Sequence, residues 1–125
     1  MAIQLLERNP LLRILILSFL IFLVDLPWLT SVSGWANSMI RSIQGSDMTF
    51  KIWPAAVVYV ALGYLATLPT SYTEAFLYGS SVYAVYDFTN LAMIKNYQTA
   101  FAIADTLWGG VLFTIVFGIR KYLNL

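Results

Sequence analysis

The chain has 125 residues, 60% of them hydrophobic and only 10% charged, with a mean hydropathy of +0.77 and a formal net charge of +1. So short a chain has too little interior to hide that much apolar surface from water, so most of it must face lipid. The few dispersed bases leave no face for nucleic acid, and the absence of cysteine and histidine excludes disulfides, thiolate chemistry, histidine-bound metals and imidazole catalysis.

The first predicted span covers residues 11–30, almost continuously apolar apart from Arg13, Ser18 and Asp25, and long enough to cross a bilayer. Asn9 followed by Pro10 suits a helix start, because asparagine caps free amides and proline fits the first turn. A cleavable signal peptide is the rival reading, since Arg8 and Arg13 precede the main apolar run and Ser31, Ser33 and Gly34 resemble a cleavage region; a retained span is expected. Residues 31–50 are richer in Ser, Asn and Gly, with apolar periodicity through Trp35, Met39, Ile40 and Ile43, and are expected to form a loop with a short interfacial helix. Trp35 and Trp53 belong to the interfacial belt on this reading.

Further spans are expected at 52–68, with Pro54 near its start and Pro69 at its end, at 73–94 and at 99–122. The last two are joined by the tight polar stretch from Lys95 to Gln98, so they should form a helical hairpin. The fold expected is a single transmembrane domain over 1–125: an all-α integral membrane four-helix bundle with a short interfacial helix between the first two spans. Four spans place both ends of the chain on one side, with Arg8, Arg13, Arg120 and Lys121, against Arg41, Lys51 and Lys95 on the other. That slight excess favours cytoplasmic termini.

Charge is distributed by depth. The bases fall in loops or near span ends, whereas Asp25, Asp87 and Asp105 fall well inside spans. Asp25 precedes Thr30 by five residues, Asp87 precedes Lys95 by eight, and Asp105 follows Gln98 by seven, all measured from the same side. At ~1.5 Å per residue the three acids share one layer roughly 8 to 12 Å deep. A carboxylate at that depth is costly, so the acids should face the bundle interior and pair with polar groups or carry a proton.

Polar and aromatic neighbours stand at helical spacing. Tyr83, Asp87 and Asn90 lie on one stripe, flanked by Tyr86 and Thr89, and can supply hydrogen bonds. The pattern D-x-x-W occurs at Asp25 and Trp28 and again at Asp105 and Trp108, giving each acid an indole one turn away. Gly63, Gly79, Gly109 and Gly110 are small enough to let another helix approach closely.

These motifs resemble one family, small predicted membrane proteins grouped as domain of unknown function 2177. The resemblance covers nearly the whole chain and rests on D-x-x-W-L from Asp25 to Leu29, Y-A-x-Y-D-x-T-N-L-A from Tyr83 to Ala92, and D-x-x-W-G from Asp105 to Gly109. It implies a compact four-helix membrane protein whose signature residues are these acids, amides and tryptophans, and it implies no particular activity.

Three functions compete. The first is a proton- or cation-linked transporter or channel in which Asp25, Asp87 and Asp105 line a polar cavity, completed by Asn90 and Tyr86, with a homo-oligomer supplying missing walls. The second is a membrane enzyme performing proton transfer on a lipid-like substrate; the lack of any visible nucleophile weighs against it. The third is a structural or accessory subunit of a larger membrane complex, in which the acids are hydrogen-bonded glue that fixes helix register. No cofactor and no metal are expected, and the partners expected are the lipid bilayer with protons, cations or a lipid-like small molecule.

Overall fold

The computed structural model describes residues 9–125, and its regular secondary structure is four helices: α1 (Pro10–Gln44), α2 (Ile52–Leu65), α3 (Tyr72–Met93) and α4 (Thr99–Tyr122). The all-α, four-helix architecture is the one expected. Arg8, one of the bases counted toward orientation, lies outside the described residues.

The start of α1 follows the sequence signal, with the Asn9 side chain accepting the Leu12 amide at 3.1 Å and Pro10 in the first turn. Its end does not. In place of a loop with a separate interfacial helix, residues 31–44 continue α1 without a break, giving 35 residues and a length of about 52 Å. Thr30 and Ser31 donate their hydroxyls to the Pro27 carbonyl at 3.1 and 2.6 Å, and Ser33 donates to Thr30, so these small polar residues are satisfied within the helix. Met39 is then buried against the α3–α4 connection, which supplies tertiary support that weak local propensity lacks. Gly45, at φ 78°, finally stops the helix in the left-handed conformation, its amide bonded to the Arg41 carbonyl.

The next loop folds back on this end. Asn37 donates to Asp47 at 3.2 Å and accepts the Met48 amide at 2.8 Å, while Arg41 pairs with Asp47 at 3.2 Å. Helix α2 is apolar but only 14 residues long. Ser71 caps α3 by accepting the Glu74 amide at 3.1 Å. Asn96, at φ 71°, turns the chain between α3 and α4, and its side chain donates to the Ser42 carbonyl at 2.9 Å.

Glycines set the closest helix approaches. A Cβ on Gly79 would strike the Gly109 carbonyl, and one on Gly109 would meet the Gly79 carbonyl at 2.6 Å and the Tyr83 ring, so α3 and α4 touch backbone to backbone. Gly110 leaves room for the Phe76 ring, and Gly63 of α2 leaves room for Ser18 of α1. Two apolar clusters result. One joins Leu17, Ile21, Leu62, Ala75, Leu112 and Phe113 toward the end holding both described termini; the other joins Met39, Tyr97, Phe101 and Ala102 at the opposite end. On α1 the acid falls between Ile21 and Met39, and on α4 between Ala102 and Leu112, so a polar layer lies between the clusters.

The outside is apolar as well. Leu11, Leu15, Phe19, Leu23, Val57, Leu77, Val85, Ile103 and Leu107 are all exposed. Helices α1 and α4 are long and apolar enough to cross a membrane, and only 22% of the most apolar window of α1 is buried by protein, so lipid is the environment that suits its surface.

Candidate functional site

Two reciprocal bonds join the first and last helices. Trp108 on α4 donates its indole N–H to Asp25 Oδ1 at 2.7 Å, and Trp28 on α1 donates to Asp105 Oδ1 at 3.0 Å. Because α1 and α4 run antiparallel, each D-x-x-W motif offers an acid and, one turn later, an indole to the matching pair on the other helix. The two indoles stack between the acids, with ring centroids 5.4 Å apart and planes within 11°. The partner of each acid is therefore the indole of the opposite helix.

Asp25 is 4% exposed and has a second donor, Tyr59 Oη on α2, at 2.6 Å from Oδ2. The Tyr59 ring is held edge-on by Phe22 at 5.3 Å. Both carboxyl oxygens of Asp25 are thus satisfied by neutral donors from two different helices, a strong constraint on how α1, α2 and α4 rotate.

Asp87 is different. It is completely buried, and Tyr97 Oη donates to its Oδ1 at 2.6 Å, but Oδ2 has no hydrogen-bond partner among the described residues. The carboxyl of Asp105, half-buried, lies close enough to interact with that of Asp87. Thr106 Oγ1 is also buried without a partner. An unsatisfied carboxyl oxygen in a water-poor layer is costly and calls for a proton, an ion or a water.

Of the other residues singled out from sequence, Tyr83 is half-buried, rests on Gly109 and lies within electrostatic reach of all three acids. Asn90 is half-buried beside Tyr86 and Tyr97. Tyr86 and Thr89 occupy exposed positions on α3, Tyr86 at 63%, and neither hydrogen-bonds an acid. The stripe from Tyr83 to Asn90 is therefore divided, its inner edge on the polar layer and its flanks outside. Trp35 binds Gln98 Oε1 at 2.6 Å, pinning the far end of α1 to the start of α4, and Trp53 is exposed.

Tyr59 and Tyr97 were not singled out from sequence. Tyr59 carries a signal: it is one of two phenols in an otherwise apolar helix, and the one that stands, seven residues from Ile52, at the depth of the acids. Tyr97 carried none, since a residue in a four-residue polar connection reads as solvated until the connection is seen to tuck inward. No group of three acidic side chains among the described residues is arranged to hold a metal ion.

A helical bundle apolar outside, with carboxyls bonded to indoles and phenols inside, is the architecture of a membrane protein. The chain belongs to the family described as predicted membrane protein (domain of unknown function 2177), whose family model matches residues 11–120. No curated protein and no solved structure matches it.

Proposed function

We propose that this is a multi-pass protein whose four helices all cross the membrane, with cytoplasmic termini, and that Asp87 and Asp105 form a proton-transfer site for proton-linked transport. The observation that carries this reading is the fully buried Asp87, whose Oδ2 has no hydrogen-bond donor among the described residues and whose carboxyl lies close to that of Asp105. Two carboxyls in contact in a low-dielectric layer exchange one proton at little cost, because the negative charge merely moves between them. Tyr97, bonded to Asp87 and set in the connection at the end of the bundle, is the natural relay toward solvent on the Lys95 side. A proton fits better than a metal cation, since the three acids do not converge as a ligand set. Tyr83 and Asn90 edge the path, and Asp25, held by two donors, anchors it.

The same satisfied bonds of Asp25 favour a second reading, in which the whole layer is structural glue in an accessory subunit. One variant separates the two. Asp87→Asn keeps the shape and adds N–H donors facing Asp105, so proton transfer requires that reconstituted protein lose its pH-gradient-driven flux while keeping its fold. Flux that persists unchanged in this variant rejects the transport reading.

A further inference from the structure

At the end of the bundle opposite Lys95, a cavity of about 530 Å³ opens between Arg13 of α1, Thr70 and Ser71 of the α2–α3 connection, and Phe117, Arg120 and Lys121 of α4. Its charge is mostly positive. Among the described residues no Asp or Glu lines it, and positive charge is in surplus even when a carboxylate at Leu125 and the Glu74 carboxylate bonded to Thr70 are counted. Arg13 and Arg120 stand close enough to repel each other.

The three cations are held differently. Arg120 is fixed: it donates through Nη1 to the Ala66 carbonyl at 2.7 Å and through Nη2 to the Pro69 carbonyl, and it lies 4.8 Å over the Phe117 ring. Arg13 spends only its Nε, on the Leu125 carbonyl at 2.5 Å, which leaves both terminal nitrogens without a partner among the described residues. Lys121 sits 5.7 Å from the Tyr72 ring, with no hydrogen bond or ion pair among the described residues. Ser71 Oγ accepts the Glu74 amide and so retains its own proton to donate.

Like charges gathered in a concavity create a field that favours an anion, and a guanidinium fork beside an ammonium matches the several acceptor oxygens of a phosphate. We propose that this cavity binds a phosphate group, presented by an anionic lipid headgroup or free in solution, between Arg13, Lys121 and Ser71, with Arg120 as its fixed wall. The lipid source rests on the bundle crossing the bilayer, which would put the cavity at headgroup depth; the free-phosphate source does not.

The test uses the full chain in detergent, titrated separately with phosphatidylglycerol, phosphatidylcholine and inorganic phosphate, with binding read by native mass spectrometry and by shift in Tm. Phosphatidylglycerol binding well above phosphatidylcholine assigns the lipid source, and saturation by inorganic phosphate alone assigns the free anion. In either case R13Q/K121Q should lose about 25-fold in affinity, from about fivefold for each cation. R41Q/K51Q, at the other end of the bundle, should lose nothing. Should the double variant fail to fold, K121Q, whose side chain makes no hydrogen bond among the described residues, should still show the fivefold loss. No binding by either phosphatidylglycerol or phosphate, or equal binding by wild type and K121Q, overturns the proposal. These readouts involve no flux, so they stand or fall apart from the proton-transfer reading.

Discussion

Trp108 of α4 reaches across the bundle to Asp25 of α1 and donates its indole N–H at 2.7 Å, in answer to the bond that Trp28 makes to Asp105 at 3.0 Å. Trp108→Phe keeps most of the ring but leaves one oxygen of a buried carboxyl without its donor. The expected cost is about 1–3 kcal/mol of stability, measured by unfolding in mixed micelles. Trp28→Phe should cost less, because Asp105 is only half-buried and the neighbouring Asp87 carboxyl can answer it. Either variant should remove the near-ultraviolet dichroism of the stacked indole pair, and a spectrum unchanged in both would contradict the stacking.

Tyr97→Phe tests the other acid. The ring keeps its edge contact with Phe101, at 6.0 Å, so the apolar cluster survives while Asp87 loses its hydrogen bond. Stability should fall by about 1–3 kcal/mol. If Tyr97 also relays protons, flux should drop by much more than the loss of folded protein explains. A variant as stable as wild type would show that the phenol and carboxyl are not bonded.

The glycines give a paired prediction. Gly109→Ala places a methyl against the Tyr83 ring and the Gly79 carbonyl, so it should cost about 1–3 kcal/mol by forcing α3 and α4 apart. Gly34→Ala meets nothing within 4 Å and lies inside α1, so it should be stabilising by up to about 1 kcal/mol. Unfolding measurements on the two should therefore move in opposite directions, and a Gly109→Ala protein as stable as wild type would remove the close helix contact.

Topology can be mapped on a clean background, because the chain contains no cysteine. Single cysteines at the exposed positions Asn9 and Asn124 should react with an impermeant maleimide from one side of the membrane, and those at Ser46 and Lys95 from the other. Labelling of Ser46 and Asn124 from the same side would rule out four crossings.

The helices and the shared depth of the acids were legible because they depend on local chain properties: apolar run length, proline and glycine stops, and residues counted from a span end. Which donor meets which acid was not. Spacing inside α1 joins Asp25 to Trp28, yet rotation and antiparallel docking exchange the indoles, and that exchange is a property of the pair of helices. The continuation of α1 past Thr30 was hidden for a similar reason, since it draws on burial of Met39 beneath Tyr97 and Phe101, far away in sequence. Tyr86 shows the converse: spacing puts its stripe on α3 but does not give the width of the inward face, and the Tyr86 ring lies outside it.

The exchange of indoles has a consequence for biosynthesis. On the proposed four-crossing topology Asp25 enters the membrane with the first helix, while Trp108, one of its two donors, emerges only with the last. Until α4 is made, the nascent chain must carry a half-answered carboxylate, which favours loose, water-tolerant early intermediates and makes arrival of the final helix the event that locks the bundle.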